Sequence, residues 1–215
     1  MLLSRSLLLL ALPVAAFPVQ GQSKPSKPQV PAIALATATL AGQPVAVLPI
    51  TMLVSDPRIP GGTGAAARKR MQSWADSTLG EALQEQAPEV EWLLPDALRR
   101  STQRTGGLVP SPDRMGHAVM RAPGFKDLPD PLRSYVRQLV ALQNGGRFAL
   151  IPAALYVTPG AGDSLTVQLS AVLADGRLGR IVWRTLAVGT GETMAEAFAA
   201  AIGTILVSET TPPPS

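Results

Sequence analysis

Apolar and polar residues alternate most regularly near the end of the chain. Leu165, Val167, Leu169, Ala171 and Leu173 fall on one parity, and Thr166, Gln168 and Ser170 on the other. Period-two alternation predicts a strand with one buried face. Apolar runs on either side predict two more strands, Phe148 to Val157 and Leu178 to Thr190. Asp175-Gly176 tolerates a tight reversal, so the second and third of these strands are expected to form a hairpin. Pro152 cannot donate to a ladder, which places it at a sheet edge or a bulge. Trp183 reads as core or sheet-face packing.

Upstream the period changes. Val45 to Thr51 is apolar on both parities, as in a strand covered on both faces, and Pro49 marks its end. Ser55 to Gly64 is dense in proline and glycine and reads as a loop. Ala65 to Gln86 follows helical spacing. Ala67, Met71, Trp74, Ala75, Thr78 and Ala82 form its apolar stripe, and Ser73, Asp76, Ser77, Gly80 and Gln84 its wet side. Val90 to Leu94 is a short strand. A helix opens at Pro95-Asp96 and runs to about Thr105, where Gly106-Gly107 stops it. Another runs from Pro131 to Asn144. A last helix opens near Thr193, where Thr193 and Glu196 have capping-box spacing, and carries Met194, Phe198, Ile202, Ile205 and Leu206. Ile33 to Leu40 has no clear period. The order predicts an α/β fold, an α+β sandwich: a mixed sheet of about five strands covered by helices, with a C-terminal hairpin and a closing helix.

The ends differ from this body. Arg5 precedes an apolar run, Leu7 to Ala16, too short to span a bilayer comfortably, and small residues stand before Gln22 and before Phe17. Residues 1–21 therefore read as a secretory signal peptide, with an uncleaved anchor as the rival. Residues 22–42 read as a proline-rich linker, 43–207 as a single domain and 208–215 as a disordered tail. The location expected is periplasmic or secreted, with no stable membrane span once the leader is removed.

Charge and composition narrow the chemistry. Basic residues outnumber acidic ones, 19 against 15, but they are scattered, and the densest run, Arg68-Lys69-Arg70, is short. A solvated helix face explains that run, and no nucleic-acid partner is expected. With no cysteine the chain has no disulfide, no thiol nucleophile and no lipid-anchoring thiol. No cofactor and no metal are expected. The glycines at 61, 62 and 64 match neither the Walker nor the dinucleotide spacing. Glu81 and Glu85 lie one turn apart on a solvated face.

Residues 106–131 are the least regular part of the body, with five prolines and four glycines. A loop of this length within a domain points to function, so Arg114, His117, Arg121 and Lys126 are the candidate binding residues. Ser111, Asp113 and His117 lie close in sequence, but no nucleophile-elbow motif accompanies them. No catalytic residue is assigned on this ground. A ligand-binding or hydrolytic alternative would use Asp56, the Gly61 to Gly64 loop and His117, with Asp56 and His117 meeting at strand ends.

The run Val45 to Ile50, the strand Leu165 to Leu169 and the hairpin from Asp175-Gly176 into Gly179 to Trp183 carry a resemblance. Over about residues 43–207 the chain resembles the amino-terminal domain of the periplasmic TolB protein and the related domain of curli-secretion-type envelope lipoproteins. It departs from that pattern in having no lipobox cysteine, no propeller, an apparent insertion at 106–131 and Pro152 within a strand. The resemblance implies a noncatalytic envelope module that works by contact with an envelope protein or by self-assembly.

Overall fold

A computed structural model describes residues 33–59 and 64–206. The leader, the first part of the linker, three residues of the Gly61 to Gly64 loop and the tail lie outside the described residues.

Six strands form one mixed sheet: β1 (Pro44–Val47), β2 (Leu53–Ser55), β3 (Glu91–Leu93), β4 (Phe148–Pro159), β5 (Leu165–Asp175) and β6 (Arg180–Gly191). Their order is β3-β1-β4-β5-β6, with β2 also paired to β4. The first three strands lie parallel to their neighbours, and β4, β5 and β6 run antiparallel. Four helices complete the fold: α1 (Ala65–Gln86), α2 (Pro95–Gln103), α3 (Leu132–Ala141) and α4 (Met194–Gly203). The fold class read from the sequence is the one observed, with β2 as an additional short strand.

β1 is shorter than the apolar run suggests. The Leu48 N–H donates to the Leu150 carbonyl at 2.9 Å, and Pro49 has no N–H to continue the ladder. The chain leaves the sheet there and returns as β2 against the far half of β4, where Leu53, Val54 and Ser55 face Leu155, Tyr156 and Val157. Pro152 thus sits in the central strand and not at an edge. It occupies a bulge against β5 between Pro152 and Ala154, where a missing donor costs least.

Two apolar layers cover the sheet. On one face Ala75, Leu79 and Leu83 of α1 and Phe198 and Ile202 of α4 pack on Val45, Val47, Leu155, Val167 and Leu169. On the other, Leu98 of α2 and Val136, Leu139 and Val140 of α3 pack on Ala46, Leu48, Ile151, Val172 and Ala174. Residues 106–131 join this second layer. Two 3-10 turns, Pro112–Arg114 and His117–Arg121, lower Met115 and Met120 into it beside Val109 and Leu128. From Ser170 onward β5 is therefore buried on both faces, so its expected polar face is solvated only in part.

Two further expectations are corrected by packing. The buried face of α1 is centred on Ala75, Leu79 and Leu83, and Asp76 and Gly80 of the supposed wet side lie inside. At Gly80 a Cβ would press on the Leu94 side chain at 2.9 Å, so the small residue admits the chain beside β3. Leu35 and Leu40, within the stretch read as linker, are buried in the first layer, and the Leu35 N–H donates to Ile205 O at 2.7 Å. The expected hairpin between β5 and β6 is present, and its turn spans Gly176 to Gly179. The Asp175 carboxylate holds it by accepting from the N–H groups of Arg177 at 3.0 Å and Leu178 at 2.9 Å. The capping box of α4 is present, with Glu196 N–H on Thr193 Oγ1 at 3.2 Å.

Candidate functional site

The connection after β1 turns to α1 on one face of the sheet, and the connection after β3 turns to α2 on the other. Adjacent strands whose connections diverge leave a crevice at their carboxyl ends, the usual ligand position of an open α/β sheet. Here it is a cavity of about 790 Å³ lined by Thr51, Lys69, Gln72, Asp76, Arg99 and Arg114, among others. A second hollow of about 370 Å³ shares Ser73, Asp76 and Arg99 and is walled by Trp92 and Leu94.

One cation organises this crevice. Arg99 of α2 donates to Asp113 Oδ1 at 2.7 Å, to Asp96 Oδ1 at 2.8 Å and to Asp76 Oδ2 at 3.2 Å. Asp76 Oδ1 in turn accepts the Ile50 N–H at 2.7 Å, the donor that β1 releases as it leaves the sheet. Burial pushes the Asp76 carboxyl up to about 6, against the opposing pull of the Ile50 N–H and Arg99. Arg99 holds the Asp113 carboxyl below the usual carboxylate range despite partial burial. The network ties the exit of β1, α1, α2 and the 106–131 segment together. A carboxyl poised near 6 can exchange a proton at neutral pH.

His117 stands behind this crevice and is 0 % exposed. Its Nε2 lies 2.7 Å from the Pro49 carbonyl and 3.3 Å from Thr51 Oγ1. A carbonyl only accepts, so Nε2 must carry the proton and donate it to Pro49. A nitrogen so committed cannot take a proton from Thr51, which removes a Thr–His pair. Burial lowers the imidazole pKa, so the ring is neutral. Asp56 is elsewhere engaged. It forms a two-pronged pair with Arg58 at 2.9 Å, which brings its carboxyl down to about 2. Asp56 and His117 share no hydrogen bond, contrary to the expected meeting at strand ends.

The other feature is an open sheet edge. β6 is the outermost strand, twelve residues long. Among the described residues its outer side is partnered only at the start, by an Asp127–Arg180 bridge and by the Ile181 N–H on Lys126 O at 2.9 Å. Val182 is 53 % and Leu186 45 % exposed. The register places Leu186 opposite Ser170, and the next row across the sheet runs Val54, Tyr156, Gln168, Val188. Val54 is 42 % exposed, so this part of the sheet face lacks a covering layer. A groove of about 460 Å³ follows the start of the strand and is lined by Phe125, Lys126, Asp127 and Arg180 to Arg184.

The four residues chosen from the sequence do not converge. Arg114 lines the crevice, and His117 is core. Arg121 is exposed and donates to Ala118 O at 3.0 Å, and Lys126 lines the β6 groove. Asp76 and Arg99 escaped the sequence reading. The available signal was an acid on α1 flanked by Ala75 and Leu79, both of which are core.

Among the described residues no helix is long and apolar enough to cross a membrane, and no group of three His, Cys, Asp or Glu could hold a metal ion. No family model and no curated protein matches the chain. Solved structures do match. The LpoB C-terminal domain from Salmonella enterica is 16% identical with a TM-score of 0.37, over 71% of this chain and 84% of that one. Lipoprotein GNA1162 from Neisseria meningitidis is 20% identical with a TM-score of 0.33, over 67% and 78%. The PelC dodecamer from Paraburkholderia phytofirmans is 15% identical with a TM-score of 0.34, over 83% and 97%. The likeness is remote in sequence and loose in geometry, and no residue role is carried over from these proteins. The TolB and curli-secretion resemblance rests on the sequence motifs alone.

Proposed function

We propose that the chain is an exported, noncatalytic protein of the periplasm that acts by contact with an envelope protein or with itself, using the β6 edge and the sheet face beside it. The leader-like residues 1–21 support export, and the mature chain would begin near Gln22. One observation carries the contact reading: a long edge strand that keeps large apolar side chains in water. Soluble proteins ordinarily blunt such edges with charge, proline or a bulge. β6 has a bulge and two arginines in its first half, but Thr185 to Gly191 contains no charge and no proline. Of the binding residues read from the sequence, Lys126 lines the groove beside β6 and Arg114 lines the crevice instead.

A photo-crosslinking residue placed at Val182 or Leu186, with one at exposed Glu85 of α1 as control, tests the reading in the native host. Protein adducts are expected from the β6 positions and not from the control. Equal yields at all three positions would remove β6 as the contact surface.

A small-ligand or hydrolytic site is the second reading, favoured by the cavity of about 790 Å³ beside a carboxyl raised to about 6. It requires a ligand whose stabilising effect on the protein disappears in Asp76→Asn.

A further inference from the structure

The groove along β6 is cationic and unmatched. Lys126, Arg180 and Arg184 line it, and none of the three forms an ion pair with a described carboxylate. Arg184 is steadied by donating to the Met120 carbonyl at 2.6 Å, which leaves its charge unneutralised. Asp127 is the one acid in the lining, against three cations. Beyond Ile181 no described residue pairs with the outer backbone of the strand.

We propose that this groove receives an extended acidic segment of a partner protein, added to the sheet as a strand against β6 beyond Ile181. This rests on the contact reading above and names the chemistry of the partner. Main-chain hydrogen bonds along an open edge supply affinity without regard to sequence, and side chains set specificity. Here the specificity is charge: carboxylates of the incoming strand meet Lys126, Arg180 and Arg184, and its alternate apolar side chains meet Val182 and Leu186. The bulge adds Val182 to β6 opposite Leu173 and Ala174, and its side chain is exposed. A second copy of the chain fits less well. β6 has no acidic residue between Arg180 and Gly191, so a β6–β6 pair would match none of the cations. The proline-rich stretch before Ile33 is no better suited, because prolines at 25, 28 and 31 lack ladder donors.

The test uses the full mature chain and three synthetic peptides read by fluorescence anisotropy at low salt. The first alternates Glu and Val, the second replaces every Glu by Gln, and the third keeps Glu but carries N-methyl groups on alternate backbone amides. The acidic peptide should bind, the Gln peptide about tenfold or more weakly, and raised salt should weaken the acidic peptide alone. The N-methylated peptide should lose binding to a similar extent, because its charges remain and its donors do not. Lys126→Glu with Arg180→Glu, both exposed, should abolish the preference for Glu over Gln while circular dichroism stays unchanged. Equal binding of the acidic and Gln peptides would overturn the charge match, and retained binding of the N-methylated peptide would overturn strand addition. Photo-adducts at Leu186 formed only with another copy of the chain would assign the edge to self-assembly and overturn the acidic partner. If β6 crosslinks a different protein while every acidic peptide fails, this inference falls and the contact function stands.

Discussion

Asp76 is a residue whose titration the fold changes by burial. Its folded carboxyl titrates at about 6, against an ordinary 3.8. Between those values the folded chain holds a proton that the unfolded chain has released. Stability from this group is therefore full below about 4 and falls as pH rises through 6. Asp76→Asn keeps an oxygen for the Ile50 N–H and removes the titration. Urea unfolding from pH 4 to 7 should show the wild type losing ground to the variant as pH rises, by at most about 3 kcal/mol. A gap that stays flat, or one that grows in favour of the wild type, would contradict this. The sequence placed Asp76 on the wet side because polarity and spacing were its only guides. Ile50, 26 positions upstream of Asp76, needs an acceptor only because Pro49 ends the β1 ladder beside it. His117 was misread for a related reason. A lone histidine in a polar-looking loop suggested a surface, but the Met115 and Met120 anchors draw the segment down and close it over the ring.

At the scale of elements, local sequence was a good guide wherever the signal was periodic or chemical. α1 runs from Ala65 to Gln86 as its spacing implied, and the Thr193–Glu196 capping box opens α4. Contacts between elements were less legible. Gly189 lies near the end of β6, where a Cβ would collide with the Ala197 carbonyl and the Ala201 N–H of α4. Glycine there lets the helix backbone lie directly on the strand. Gly189→Ala should lower stability by about 1–3 kcal/mol, through overpacking, as read from the urea midpoint. A neutral result would mean that α4 can move away without loss. β2 went unpredicted because three residues carry too little period to be seen, and the strand exists only because β4 extends far enough to meet it.

At the scale of the whole molecule, the two surfaces of interest occupy opposite sides of the sheet order. The crevice lies at the β3–β1 side and the open edge at β6. Charge reversal at Arg114 should therefore leave adduct formation from Leu186 unchanged, and reversal at Lys126 should reduce it severalfold, about the effect of a groove charge on capture. Measuring adduct yield in both variants decides whether the 106–131 segment acts as one surface or two. By itself the sequence determined the fold class, the presence and order of the helices and the three-strand block, because hydrophobic period and capping chemistry are local properties. Tertiary structure decided the rest. It buried Asp76 and His117, placed Pro152 in the central strand, and left β6 as an edge. Those outcomes depend on which strand lies beside which, and pairing between distant segments leaves no mark on the pattern of either segment alone.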